Sequence, residues 1–176
     1  MQPRVLLSSK QISLTLIRLA HQLIEIHQDF SDSFIIGIQP RGIYLAERIA
    51  NIVSDINHKK IGYGKLDFTL HRDDLHINDE IILPSETDID FSFNDKNVIL
   101  IDDVLYSGRT IRASLDALMD YGRPKDVELL VMVDRRFHRH VPIQAKYIGI
   151  SIDSIESERV KVKWKENDGI DEVVLI

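Results

Sequence analysis

The chain has 176 residues, 44% of them hydrophobic and 28% charged, enough to bury one good core and too short for two, so a single domain over residues 1–176 is expected. A net charge of -6 argues against a surface that grips nucleic acid everywhere, while leaving room for a local basic patch. The absence of cysteine removes disulfides, thiolate nucleophiles and zinc-thiolate sites, and fits a reducing compartment.

The segment from Met1 to Ser8 offers only the short apolar patch Val5-Leu6-Leu7, where a secretory signal needs a run of roughly 7 to 15 residues, so a cytoplasmic location is expected. From Gln11 to His27, Ile12, Leu16, Leu19, Leu23 and Ile26 fall on one helical face, with Ser8 or Ser9 as cap. Phe34 to Ile38 reads as a strand covered on both faces. Arg41-Gly42 then opens a helix running to about Asp55, with Ile43, Ala46, Ile49, Ala50 and Val53 inward. Ile61 to Leu70 reads as a longer strand. Residues 71–96 are acidic, contain Pro84 and lack a sustained period, which is the composition of a lid.

Val98 to Ile101 is the next buried strand, and Thr110 to Tyr121 a helix with Ile111, Leu115, Leu118 and Met119 inward and Gly122 as its stop. Val127 to Val133 is a third buried strand. After Tyr147 short strands follow, with Val160, Val162 and Trp164 alternating with lysines. The aliphatic runs stay far below the roughly 20 residues that cross a bilayer. This alternation implies an α/β, doubly wound, mostly parallel sheet, with its ligand beyond the carboxyl ends of the strands. The fold class expected is that sheet with a long lid loop at about 71–96 and a small hood of short strands.

The most informative stretch is Val98-Ile99-Leu100-Ile101-Asp102-Asp103-Val104-Leu105-Tyr106-Ser107-Gly108-Arg109-Thr110. The turn Tyr106 to Thr110 supplies backbone N–H groups, two hydroxyls and a helix amino terminus, a concave site suited to a dianionic phosphate. Asp102 and Asp103 repel a phosphate but accept hydrogen bonds from a sugar diol, or hold magnesium through water. A phosphate site beside a diol site describes a ribose 5-phosphate. Paired acids after a buried strand also occur as a solvated strand end, as the acidic pocket of a receiver domain, or as the ribose-binding acid of a nucleotide fold. The phosphate loop separates the present case from those.

This segment resembles the signature of type I phosphoribosyltransferases, which use 5-phosphoribosyl-1-diphosphate and Mg2+. Every position of that signature is matched. The resemblance implies that Gln39-Pro40-Arg41-Gly42, the loop after the first sheet strand, holds the diphosphate with Arg41 as cation. It implies that Arg72 and Asp73 close over it from the lid, Arg72 neutralising the leaving group while water is expelled. Tyr106, Ser107, Gly108, Arg109 and Thr110 then hold the 5-phosphate, and Asp102 and Asp103 act on the ribose and, largely through water and substrate, on the magnesium.

Within that family, Arg41-Gly42-Ile43-Tyr44-Leu45-Ala46, Asp67-Phe68-Thr69-Leu70-His71-Arg72-Asp73-Asp74-Leu75, Asp103 to Thr110, and Gly122-Arg123-Pro124 look like the bifunctional pyrimidine operon regulators and uracil phosphoribosyltransferases. The resemblance implies uracil as acceptor, met at Val133, Asp134 and Arg135, and a homo-oligomer of at least two chains. Pro40 stands where this family usually has threonine. Ile17, Ile26 and Ile150 are apolar where RNA-binding members carry basic or polar residues, and Arg135-Arg136-Phe137-His138-Arg139-His140 has an extra residue relative to the family's usual Arg-Gly-His-Arg spacing. Two further readings therefore stay open: an RNA-binding attenuator that senses uridine nucleotides, and a purine phosphoribosyltransferase. The histidines, including His21 and His71, show no metal-ligand spacing and read as surface or supporting residues.

Overall fold

Each aliphatic run takes its place in one sheet, because a run apolar at every position buries both of its faces only as a strand between two helical layers. The computed structural model describes residues 3–73, 83–155 and 157–176. Strands β2 (Ser33–Ile38), β3 (Tyr63–Leu66), β4 (Asn97–Leu105), β5 (Asp126–Arg136) and β6 (Tyr147–Asp153) form a five-stranded sheet in the order β3-β2-β4-β5-β6. Every neighbouring pair in it is parallel. The chain winds outward in one direction from β2 to β3 and in the other from β4 onward, so the order reverses between β2 and β4, where α/β sheets open a crevice.

Helices α1 (Ser9–His27) and α2 (Gly42–Asn57) cover one face, packing Leu16, Leu19, Leu23, Leu45, Ile49 and Val53 on Ile35, Ile99, Ile101 and Leu130. Helix α3 (Arg109–Met119) covers the other, setting Ile111, Ala117 and Leu118 on Ile36, Leu100 and Val131. The two faces of β4 thus divide as Ile99 and Ile101 against Val98 and Leu100, the period of two that a strand imposes. A second, antiparallel sheet in the order β1-β8-β7 is built from β1 (Arg4–Leu7), β7 (Val160–Lys163) and β8 (Glu172–Leu175), a four-residue helical turn α4 (Lys165–Asp168) joining the last two. Val162, Trp164 and Val173 close it onto the α1-α2 side of the core.

Several boundaries differ from the sequence reading. Gln11 Oε1 accepts both the Ser8 N–H at 2.9 Å and the Ser8 hydroxyl at 2.8 Å, so α1 starts at Ser9 and the reciprocal contact lies at Ser8. Ile26, expected inside, is 51% exposed, and His27 is the residue turned inward. Met119 is likewise exposed, because α3 ends there and its last turn leaves the sheet. The strand expected over Ile61 to Leu70 shortens to Tyr63–Leu66 and gives way to a single helical turn, Thr69–His71.

Of the segment expected as a lid, residues 74–82, with Asp74 and Leu75, lie outside the described residues. Its far end packs on the sheet: Asp88 exchanges two 2.8 Å backbone bonds with Lys65, Phe91 stacks on Phe34 at 4.6 Å, and Phe93 is buried. No helix among the described residues is long and apolar enough to cross a membrane.

Candidate active site

The switch point brings two loops against one another. Gly42, at the start of α2, lies so close to β4 that a Cβ there would sit 2.4 Å from the Ile101 carbonyl oxygen and 3.0 Å from the Asp102 Cα. Only glycine allows this approach. Gln39, Pro40 and Arg41 therefore lie beside the acidic pair, Gln39 and Pro40 joined by a cis peptide. The Gln39 amide donates to the Glu86 carbonyl at 2.6 Å.

Strand β4 continues through Leu105, so Asp102 and Asp103 stand within the strand and not after it, as the sequence had suggested. The reason is the partner: β5 is 11 residues long and keeps pairing as far as Leu105 with Asp134. Asp102 Oδ1 accepts the Asp103 N–H at 2.9 Å. Burial pushes the Asp102 carboxyl well above the usual carboxylate range, and the neighbouring Asp103 charge pushes it further. Burial lifts Asp103 to about 6, with the Arg41 guanidinium pulling against it from 3.5 Å. Both carboxyls are thus held toward their protonated forms, and a bound cation or a developing positive charge beside them would favour their ionisation.

Arg41, expected as a diphosphate cation, reaches three protein groups: Asp103, the Asp168 carboxylate at 2.6 Å and the Val162 carbonyl at 3.0 Å. It thereby ties the loop after β2 to the small sheet. Asp168 was not singled out from sequence.

Beyond β4, Tyr106 to Thr110 turns into α3 through Gly108, whose φ of +87° belongs to the left-handed region and whose absent Cβ would lie 2.7 Å from Val141 Cγ2. Helix α3 begins directly after this turn, so its first N–H groups lack intrahelical partners, with the Ser107 and Thr110 hydroxyls in the same short stretch. The loop is buttressed from outside, the His140 and Val141 N–H groups donating to the Ser107 carbonyl at 2.9 and 3.4 Å. Arg109 donates to Asp73 at 2.6 Å, and Arg112 stands 3.6 Å from the same carboxylate while donating to the His71 carbonyl at 3.1 Å. Two residues expected on substrate, Asp73 and Arg109, thus meet each other. Arg72 lines a cleft with Phe68, Asp73, Arg109, Thr110 and Ala113, beside the turn from Tyr106 to Thr110.

The third group of expected residues lies at the end of β5. Val133 is fully buried between Val104 and Ile150, and Asp134 between Leu105 and Ser151. Asp134 takes a hydrogen bond from Arg139. Arg135 is buried, donates to Ser154 Oγ at 3.0 Å and the Glu158 carbonyl at 2.8 Å, and lies 4.0 Å over the Tyr106 ring. Arg139, read from sequence only as part of a basic cluster, is an internal clamp. Besides Asp134, Arg135 and Ile143 nearby in sequence, its partners include the Leu105 and Tyr106 carbonyls more than 30 positions away, which no local pattern encodes.

Residues 6–167 match the phosphoribosyl transferase domain family. The chain is 46% identical over 170 residues to a bifunctional protein PyrR of Deinococcus radiodurans, covering 97% of this chain and 92% of that one. It is 43% identical over 171 residues to the bifunctional protein PyrR of Chloroflexus aurantiacus, covering 97% and 93%. The hypoxanthine phosphoribosyltransferase of Trypanosoma cruzi superposes with a TM-score of 0.73 over 98% of this chain and 95% of that one, at 13% identity, a likeness of fold. A crevice at the sheet's switch point, buried paired acids and a left-handed glycine turn into a helix agree with that match, and the chain belongs to the phosphoribosyltransferase family.

Proposed function

We propose that this enzyme moves the phosphoribosyl group of 5-phosphoribosyl-1-diphosphate onto uracil, giving UMP and diphosphate. The observation that carries the transfer is the contiguity, along one strand and its turn, of Asp102 and Asp103 with the loop Tyr106 to Thr110. These are adjacent sites for a sugar diol and a 5-phosphate. Uracil rests on the likeness of the Arg41, Asp67, Asp103 and Gly122 segments to the pyrimidine members of the family, and on the relatives named above.

In this reading the loop from Ser107 to Thr110 holds the 5-phosphate, and Asp102 and Asp103 accept the ribose hydroxyls. The loop from Gln39 to Gly42, with Arg41 and Arg72, faces the diphosphate. Held this way, the anomeric carbon and the base nitrogen meet in one orientation, and positioning with electrostatics supplies most of the acceleration. As the bond to diphosphate breaks, the sugar gains positive charge, which the acidic pair favours; Asp103 is placed to manage the base's proton. The base lies at the end of β5, near Val133, Asp134 and Arg135.

Among the described residues no group of three or more histidine, aspartate and glutamate side chains is arranged to hold a metal. Two buried carboxylates fit magnesium that arrives with its diphosphate and meets Asp102 and Asp103 through water. When bound, it would neutralise the leaving group.

The cluster from Arg135 to His140 gives little to RNA. Arg135 and Arg139 bond internally, and Arg136 is paired with Asp153 at 2.8 Å. A cytoplasmic, single-domain protein is part of the proposal, with residues near 71–96 as its lid. So is a homo-oligomer, for which the exposed Leu14 and Ile17 and the groove between α1 and α2 lined by Leu16, Ile17 and Ile52 supply an apolar face.

The test is incubation with magnesium, phosphoribosyl diphosphate and each nucleobase in turn, following nucleotide and diphosphate together. UMP from uracil alone is the expected result. Nucleotide from hypoxanthine or guanine instead would make it a purine enzyme, and salt-sensitive RNA binding without turnover would favour the regulator.

A further inference from the structure

Between the phosphate loop and the strand end assigned to the base lies Arg139, and its guanidinium is shared among three separate pieces of chain. Nε donates to the Ile143 carbonyl at 3.0 Å. One terminal nitrogen serves the Leu105 carbonyl at 3.4 Å, the Arg135 carbonyl at 3.2 Å and the Tyr106 carbonyl. The other donates to the Asp134 carboxylate. The end of β4, the end of β5 and the return segment to Ile143 therefore meet on one planar cation.

The consequence for the phosphate loop follows from peptide geometry. In a trans peptide the C=O and the next N–H point in opposite directions. Drawing the Leu105 and Tyr106 carbonyls toward Arg139 turns the N–H groups of Tyr106 and Ser107 the other way. Two successive N–H groups on one side make an anion-binding concavity. The segment Arg139 anchors is also the one that seats Val141 against Gly108 and sends the His140 N–H to the Ser107 carbonyl. Arginine suits the task because its fork of donors is rigid; a lysine carries the charge on one mobile nitrogen.

We propose that Arg139 is a positioning residue that sets the amide orientation of the phosphate loop and fixes it to the end of β5, so that 5-phosphate and base are held in one register. The inference rests on the phosphoribosyl reading of the site and deepens it.

The test is calorimetric binding of ribose 5-phosphate to the wild type, Arg139→Lys and Arg139→Ala, with thermal melts to show that each is folded. The Ala variant is measured with and without added n-propylguanidine. Wild-type binding is expected to weaken at least about tenfold in both variants, as when a ligand loses about 1.4 kcal/mol. The guanidine should restore the Ala variant. Should Arg139→Ala prove unfolded, Arg139→Lys carries the test alone. Undiminished binding by a folded variant would overturn the role of Arg139 while leaving the phosphoribosyl reading intact. Absence of ribose 5-phosphate binding by the wild type would overturn both. Weakened binding in the folded Ala variant that the guanidine fails to restore would place the loss in general loop damage and overturn the specific role.

Discussion

Arg41 donates to Asp168 across 2.6 Å although 127 residues separate them in sequence, and Asp168 in turn takes the Trp164 N–H at 3.1 Å and stands 3.2 Å from Lys161. Burial tends to raise the Asp168 carboxyl, yet the Trp164 N–H, Lys161 and Arg41 hold it below the usual range. An internal carboxylate thus answers the Arg41 charge, and under the proposed function a diphosphate would compete with it. Asp168→Asn keeps the hydrogen bond to Trp164 and removes one negative charge. The KM for phosphoribosyl diphosphate is expected to fall about three- to tenfold, from the Coulomb energy of one charge a few ångströms away in a half-screened setting. Steady-state kinetics with diphosphate-sugar varied is the measurement, and an unchanged KM would remove the competition.

The acidic pair makes a pH signature. Asp103 rises from 3.8 to about 6 on folding, so the folded chain holds its proton while the unfolded chain releases it. Stability from this group therefore declines as pH rises from about 4 to about 6, and the loss stays above that. A rise of that size corresponds to on the order of 3 kcal/mol. Asp103→Asn should melt higher than the wild type at pH 7, with the gap closing toward pH 4, while turnover falls at least about a hundredfold. Melting curves at pH 4 and pH 7 decide it. A constant gap would mean that Asp103 titrates normally.

Gly42→Ala isolates the approach of the loop after β2 to β4. The added methyl meets backbone, at 2.4 Å from the Ile101 oxygen and 3.0 Å from the Asp102 Cα, and backbone has no rotamer to change. The two loops must separate. The expected cost is about 1–3 kcal/mol of stability, and phosphoribosyl diphosphate binding should suffer more than ribose 5-phosphate binding, because the diphosphate side moves. Equal loss for both ligands would show that the displacement spreads across the site.

The frame of this site was legible because aliphatic runs at Phe34, Val98 and Val127 leave a chain of this length few alternatives to a parallel sheet. The turn from Tyr106 to Thr110 into α3 was legible because its residues are consecutive. The strand boundary at Asp102 was missed because two carboxylates are poor strand formers, and only the length of β5 beside them holds them in the ladder. Asp168 and Arg139 were missed for a different reason: each acts on groups distant in sequence, through contacts that exist only once the small sheet and the segment from Phe137 to Ile143 have folded against the site. The pairing of Arg109 with Asp73 is of the same kind.

The opposite end of the sheet supplies a control. His27 places Nδ1 2.8 Å from Ser33 Oγ and Nε2 3.0 Å from Glu128 Oε2, and the Tyr147 hydroxyl donates to the same glutamate oxygen at 2.6 Å. Ser33 opens β2, Glu128 lies near the start of β5 and Tyr147 opens β6, so the network staples the ends of strands that carry the site at their far ends. Burial and the Glu128 charge push the Tyr147 hydroxyl above its ordinary range. Glu128 goes the other way: burial tends to raise it, but Lys146, Tyr147 and His27 bring it below its ordinary 4.5. Its contribution to stability is therefore present above pH 4.5 and lost as pH falls through the lowered value, the reverse of the Asp103 trend. His27→Ala should cost about 1–3 kcal/mol by leaving buried partners unsatisfied, with kcat and KM of the folded fraction unchanged. Glu128→Gln should flatten the acid limb of the stability curve and leave the decline between about pH 4 and 6 in place. A combined set of melts at pH 3, 4.5, 6 and 7.5 on the wild type, Glu128→Gln and Asp103→Asn separates the two trends, because Glu128→Gln changes only the acid limb while Asp103→Asn reduces only the upper decline, the raised Asp102 carboxyl keeping the rest. If Glu128→Gln altered the upper decline as well, the two ends of the sheet would be energetically coupled, and the network would no longer serve as a control for substitutions in the crevice.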